Sequence, residues 1–326
     1  MSERKLTITG NELMAMEFED VPMLAENLLI RHGFCILASS PKIGKSWLCL
    51  DLHAKATTGG SFLGKFPLGG MRSLYFPLED RERRMKKRLT AMNYVPTDNA
   101  IFHFGWTANN QKPEDFLREM VAKHSPDIII IDDIRSATPG RIDEKEKHFG
   151  DYWRPVQNLA LELEILIIGV YHLRKELHED PILMISGSNS FVGVADEAMV
   201  LQRNRGSQDA LLSVVSRDFE EGSFTLSFCR DTLTWQLKGK AEETARGPNQ
   251  QEVYDLLKER GPLPTKEIAV ILEREASDIK QFIHKLQDQG LVCYDRRIKA
   301  NRITLDTDNH HNYDNRDNDE REEEEL

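Results

Sequence analysis

The chain has 326 residues and a formal net charge of -11, and its 40% hydrophobic and 30% charged content describes a protein able to bury a proper core. Residues 306–326 hold ten Asp/Glu against two Arg, so most of the negative charge sits in that tail and the body is close to neutral. A uniformly acidic chain argues against a polyanionic partner, whereas an acidic tail on a near-neutral body does not. With one aromatic residue and almost nothing to bury, the tail is expected to be disordered.

Residues 1–32 read as a lead-in with one amphipathic helix around NELMAMEF and an apolar segment, VPMLAENLL, suited to packing on the next domain. The opening MSERKLTITG lacks the apolar stretch of a signal peptide, and no run approaches the roughly 18 apolar residues needed to span a bilayer. The expectation is a cytoplasmic protein without a membrane partner. Cys35, Cys49, Cys229 and Cys293 are scattered with no CxxC pair, and read as buried thiols.

From Gly33 the pattern changes to short apolar runs alternating with longer helical ones: FCILAS, RSLYFPLE, AIFHF, DIIIID and EILIIGVYH, each followed by a helix-like stretch or leading onward. Near-continuous apolar strands separated by helices predict an α/β domain, residues 33–237, around a mostly parallel sheet covered on both faces. The later runs AMVLQR, DALLSVVSR, SFTLSFCR and TLTWQL, broken by turn-like GS, EGS and RD, read as antiparallel strands extending or flanking that sheet. Residues 238–247 are polar and contain Gly, and read as a linker. Residues 248–305 supply three helical patterns and a two-strand ribbon, the order of a small α+β winged helix-turn-helix domain.

The sharpest motif is Ser39, Ser40, Pro41, Lys42, Ile43, Gly44, Lys45, Ser46, placed after one strand and before a helix. It matches the phosphate-binding loop GxxxxGK[ST] except that Ser39 stands at the first glycine. A strand delivers a loop whose N–H groups wrap phosphates, and the helix N-terminus adds its positive dipole end. Gly44 permits close backbone approach, Lys45 reaches the β- and γ-phosphates of ATP, and the Ser46 hydroxyl completes a Mg²⁺ shell. Ser39 is expected to restrict φ at a turn position and so to lower nucleotide affinity.

A nucleotide hydrolase also needs a carboxylate for magnesium at a strand end, and DIIIIDD supplies Asp132, with Asp133 as a second candidate or as a cap for the following turn. Glu79, His172 and Arg217 each end a predicted strand and are placed on the same edge. Glu79 reads as the base that polarises water, or as an N-cap or salt-bridge partner for the Arg/Lys-rich helix after it. His172 reads as a γ-phosphate sensor or a turn residue. Arg217 reads as an arginine finger across a subunit boundary or a surface charge.

PKIGKS, YFPLEDRERRMKKRL, IIIIDDIRS, YHLRK, ISGSNSFVGVADEAMVLQR and the SRD of VVSRD, in that order, resemble the RecA-type ATPases of the RepA plasmid-helicase group, a family of AAA-type ATPases. The resemblance runs from roughly Val21 to Leu237. It implies a RecA-like P-loop core that binds ATP and Mg²⁺ and assembles as a homo-hexamer on single-stranded DNA, as a helicase or translocase of a mobile replicon. By motif match Lys45 and Ser46 bind phosphate and magnesium, Glu79 is the catalytic base, Asp132 the Walker B acid, and His172 the coupler to a DNA-facing loop at 173–189. In that loop Arg174 and Lys175 are the candidates for backbone phosphates.

In the C-terminal module, Ile279, Phe282, Ile283 and Leu286 fall on one helical face, while Ser277, Lys280, Gln281, His284 and Lys285 fall on the other. Arg296, Arg297, Lys299 and Arg302 follow on the ribbon. Direct duplex DNA binding and docking of a replication protein are both compatible with that pattern. Three functions therefore stay open: a DNA motor, an ATP-switched DNA-binding regulator, and a helicase loader or adaptor.

Overall fold

A computed structural model describes residues 7–17, 21–106, 111–140, 142, 147–173, 185, 189–203, 207–241, 248–288, 291–295 and 297–304. The chain divides into two units, Met1–Ala241 and Glu242–Leu326. In the first, α1 (Gly10–Met14) and the short pair β1 (Met23–Ala25) and β2 (Leu29–Ile30) precede β3 (Gly33–Ser39) and α2 (Lys45–Thr58). A second small pair, β4 (Gly60–Phe62) and β5 (Phe66–Leu68), leads to β6 (Ser73–Pro77), α3 (Glu82–Ala91), β7 (Ala100–Phe102) and α4 (Pro113–His124). Then come β8 (Ile128–Asp132), α5 (Ile134–Ala137), α6 (Lys147–Glu162), β9 (Leu166–His172) and α7 (Asn189–Val192). The unit closes with β10 (Glu197–Gln202), β11 (Asp209–Ser216), β12 (Gly222–Cys229) and β13 (Thr234–Lys240).

Nine of these strands form one sheet in the order β13-β12-β11-β10-β3-β9-β8-β6-β7. β10, β3, β9, β8, β6 and β7 run parallel, and β11, β12 and β13 extend the sheet antiparallel. The placement of AMVLQR therefore needs correction: β10 pairs parallel to β3, because the chain crosses the sheet between β9 and β10 and re-enters in the same direction. Alternation along β3 explains the two-sided core. Phe34, Ile36 and Ala38 face a cluster built with Trp153 and Val156 of α6, while Cys35 and Leu37 face one built with Leu48 and Leu52 of α2. Ile128, Ile129, Ile130 and Ile131 are wholly buried, each worth about 1.5–3 kcal/mol relative to exposure. Gly169 of β9 is needed for close approach, since a β-carbon there would collide with Ile134 of α5.

Two boundaries also shift. Leu24, Ala25, Leu28, Leu29 and Ile30 of the lead-in pack as expected, buried in the cluster on the α2 side, and so belong to the first unit. β13 runs to Lys240, where Gly239 and Lys240 pair with Thr225 and Phe224, so a stretch polar enough to read as linker begins as an edge strand. Cys35 and Cys49 are buried thiols as expected, but Cys229 and Cys293 are only partly covered. Among the described residues no helix is long and apolar enough to cross a membrane.

The second unit holds α8 (Pro248–Arg260), α9 (Thr265–Ile271), α10 (Ala276–Asp288) and the antiparallel pair β14 (Val292–Asp295) and β15 (Ala300–Ile303). Its core joins Val253 and Leu257 of α8, Ile268 of α9, Ile279, Ile283 and Leu286 of α10, and Val292 of β14. Leu263 bridges to Asn301, whose buried amide donates to Leu263 O and Thr265 Oγ1 and ties the ribbon to the start of α9. The tail 306–326 lies outside the described residues.

Candidate active site

The C-terminal ends of β3, β6, β8 and β9 share one edge of the sheet, and the phosphate-loop residues, Glu79, Asp132, Asp133 and His172 arrive there. β3 ends at Ser39, paired in register with His172 at the end of β9, and β6 Pro77 is paired with Asp132 at the end of β8. The loop after Ser39 turns through left-handed backbone at Lys42 (φ 66°) and Gly44 (φ 124°), and Lys45 begins α2. The unpaired N–H groups of the first turn of α2 thus face a cleft of about 720 Å³.

Lys45 is 5% exposed and its ammonium is fully engaged. Nζ donates to Ser39 O at 2.8 Å and Ser39 Oγ at 3.0 Å, and stands 3.2 Å from His172 Nδ1. Burial lowers its pKa to about 8, although the nearby charges of Asp132, Asp133 and Glu79 oppose that shift. The expected φ restriction at Ser39 is not found: Ser39 is the last extended residue of a buried strand, and the turn falls at Lys42 and Gly44 instead. What Ser39 contributes is its hydroxyl, which accepts from Lys45 and donates to Ser40 O at 2.7 Å.

Asp132 is buried, and burial raises its carboxyl above the ordinary range, with Asp133 adding to the shift. Hydrogen bonds from Tyr75 and Ser46 and the charge of Lys45 work the other way. The Tyr75 hydroxyl donates to Asp132 Oδ2 at 2.8 Å. A buried carboxylate beside the Ser46 hydroxyl is an oxygen-only donor pair whose charge is incompletely compensated, and such a pair fits Mg²⁺. Asp133 does two things. Its Oδ1 accepts from Ser136 N at 2.7 Å and caps α5, and its Oδ2 lies 3.5 Å from His172 Nε2.

Glu79 follows β6 by two residues, with Oε2 3.6 Å from His172 Nε2, and its side chain is half exposed to the cleft. Neither structural alternative applies to it. Arg81 occupies the N-cap of α3, and the partner of the basic helix is Asp80, at 2.7 Å from Arg84 and 2.6 Å from Arg88. Arg84, Arg88 and Trp47 also line the cleft, and Arg88 lies over the Trp47 ring at 5.5 Å. These three carry no motif signal. The i, i+4 spacing of Arg84 and Arg88 behind Asp80 is the one hint the sequence offers.

Glu79, Asp133 and His172 place their polar atoms within 4.8 Å of one another. An ammonium is donor-only, so His172 Nδ1 accepts from Lys45 and the ring hydrogen sits on Nε2, toward the carboxylates. With both nitrogens engaged, the ring reads as a link between Lys45 and Glu79 rather than as a metal ligand.

Arg217 is not on this edge, which corrects the expectation that all three strand-end residues share it. β11 runs antiparallel to β10, so its end returns to the opposite side of the sheet. There the guanidinium donates to Gly193 O and lies 3.9 Å from Asp196 Oδ1. Of the residues assigned to nucleic acid, Arg174, Lys175 and Arg296 lie outside the described residues. Lys280, Lys285, Arg297 and Lys299 are exposed in the second unit.

A family model described as AAA domain matches residues 2–177, which include the loop, Glu79, Asp132, Asp133 and His172 and end before β10. Among solved structures, the chain is similar to the crystal structure of a KaiC-like protein from the archaeon Pyrococcus horikoshii, at 12% identity and a TM-score of 0.44. That match covers 64% of this chain and 90% of the other. No curated protein matches the chain.

Proposed function

The chain belongs to the AAA domain family of P-loop ATPases, and from that premise we propose that it is an ATP-driven nucleic-acid motor, a RepA-like DNA helicase or translocase. The observation that supports this reading best is the chain of contacts from Lys45 through His172 Nδ1 and Nε2 to Glu79. It joins the phosphate-binding lysine to the candidate base through a residue one step before the segment 173–189 that the resemblance assigns to DNA.

In this reading Lys45 leaves Ser39 for the β- and γ-phosphates as ATP enters the cleft, and the amide groups of residues 42–46 take the phosphate oxygens. Glu79 accepts a proton from water as the water oxygen bonds to the γ-phosphorus and the bond to the β-phosphate oxygen breaks, leaving ADP and phosphate. Ser46 and Asp132 would hold Mg²⁺, which when bound neutralises charge on the phosphates. Arg217, at the far edge, can serve a nucleotide only in trans, on a neighbouring copy in a ring; the hexamer and the single-stranded DNA are part of this proposal.

A second reading has its own support in the second unit. Read as a winged helix, it presents Ser277, Lys280, Gln281, His284 and Lys285 exposed on α10 opposite the buried Ile279, Ile283 and Leu286, with Arg297 and Lys299 exposed on the ribbon. That surface suits duplex DNA, in an ATP-switched regulator or loader. The two readings separate in one experiment. ATP turnover of the full chain is measured with and without single-stranded DNA and with a duplex. Stimulation by single strands supports the motor, and its absence together with duplex binding that survives Glu79→Gln would sink it in favour of the switch.

A further inference from the structure

Gly44 closes the phosphate-binding loop, and the space against it is taken by an indole from the antiparallel extension of the sheet. Trp235 of β13 is fully buried, and its Nε1 donates to Gly44 O at 3.2 Å. That carbonyl already accepts the first helical bond of α2, from Leu48 N at 3.1 Å. A β-carbon on Gly44 would stand 2.9 Å from Trp235 Cζ2, so the ring touches the backbone at the residue whose φ of 124° sets the turn. The indole is itself held: Phe228 meets it edge-on at 5.0 Å, and the Arg203 guanidinium lies 5.6 Å from its centre and 5.9 Å from that of Phe228.

An indole has one polar group, a donor. Buried, that N–H must find an acceptor, and here the acceptor is the carbonyl that starts the phosphate-binding helix. Core packing alone accounts for the ring but not for this choice of partner. A loop that must offer several N–H groups to one ligand gains affinity when its conformation is fixed beforehand.

We propose that Trp235 is a positioning residue for nucleotide binding, holding Gly44 and the N-terminus of α2 in the phosphate-receiving conformation, with Arg203 stacked on the indole to keep it there. Arg203 follows β10 directly, on the same edge of the sheet as the loop. The inference rests on nucleotide binding at the P-loop and not on the motor reading.

The test is ATP affinity of the full chain, measured with a fluorescent ATP analogue and Mg²⁺, beside the melting temperature. Trp235→Phe keeps the ring and removes the N–H; the loss of one hydrogen bond of ordinary strength predicts a dissociation constant weaker by about threefold to tenfold. Melting should stay within a few degrees of wild type. Arg203→Leu, at a partly exposed site, is the second variant should Trp235→Phe fail to fold, and is expected to weaken binding about twofold to fivefold at unchanged melting temperature. Wild-type affinity in the folded variants overturns the proposal, as does a loss that only follows a fall in melting temperature. A wild-type chain that binds no ATP at all would instead sink the nucleotide reading itself.

Discussion

Lys45 Nζ stands 3.2 Å from His172 Nδ1, and this contact decides which nitrogen of the ring faces the carboxylates. With Nδ1 accepting from the ammonium, the Nε2 hydrogen is directed toward Asp133 Oδ2 at 3.5 Å and Glu79 Oε2 at 3.6 Å. In the proposed mechanism ATP draws Lys45 away, and the ring then loses its donor. That exchange of partners would couple nucleotide binding to the position of Glu79, the proposed base.

Glu79 and His172 should therefore fail differently. Glu79→Gln keeps size and polarity but cannot take a proton, so ATP should bind while turnover falls about 10²–10⁴-fold. His172→Ala should lower kcat by a smaller factor, about tenfold or more, and leave the KM for ATP within a few-fold. Steady-state kinetics paired with equilibrium binding distinguishes the two. Equal losses of affinity and turnover in Glu79→Gln would mean that Glu79 holds nucleotide rather than water.

The Lys45 pKa of about 8 gives ATP binding an alkaline limb. Only the ammonium attracts phosphate, so affinity should fall as pH rises through about 8, by up to about tenfold per unit once the free protein is deprotonated. Stability of the nucleotide-free protein moves the other way. An unfolded chain keeps this proton to about 10.5, so between the two values the unfolded state binds more protons and this lysine makes unfolding harder as pH rises. Titrating binding and thermal melting from pH 7 to 10 checks both signs, with Lys45→Ala, which should abolish turnover, as the control.

Ser39 yields a prediction in the same direction as its motif position does, but from a different cause: its hold on Lys45, not a restricted φ. Its hydroxyl is one of three groups holding Lys45. Ser39→Gly removes that hold and should tighten ATP binding about twofold to tenfold, the range of one ordinary hydrogen bond, while costing the free protein a similar stability. Isothermal calorimetry with a non-hydrolysable analogue measures the first and chemical denaturation the second. Weaker binding would mean that the serine shapes the loop rather than restraining the lysine.

The parallel core and its site edge were legible in the sequence because four-isoleucine β8 and the P-loop between β3 and α2 are local patterns, each carrying its own physics. Asp132, Glu79 and His172 followed from strand ends once the sheet was taken as parallel. Arg217 was misplaced because β10 runs parallel to β3, so its antiparallel neighbour β11 ends at the opposite edge, and the direction of β10 is a property of the whole sheet, not of a run such as AMVLQR. Trp235 and Tyr75 were missed for a related reason. Each sits in an apolar strand that reads as core, and each is core, except that its one polar side-chain atom reaches a candidate site residue 191 or 57 positions away.

Tyr75 gives the last prediction. Its hydroxyl is one of the groups that hold the buried Asp132 carboxyl toward the charged form against the upward push of burial. Tyr75→Phe keeps the ring in place and removes that bond, so the Asp132 pKa should rise further. Mg²⁺ binds the carboxylate and not the acid, so at fixed pH the apparent affinity for Mg²⁺ should drop, and the acid limb of the Mg²⁺-dependent ATPase should move to higher pH. Measuring the Mg²⁺ dependence of turnover from pH 5 to 8 decides it. A uniform fall in kcat without any change in the pH profile would assign Tyr75 to packing alone.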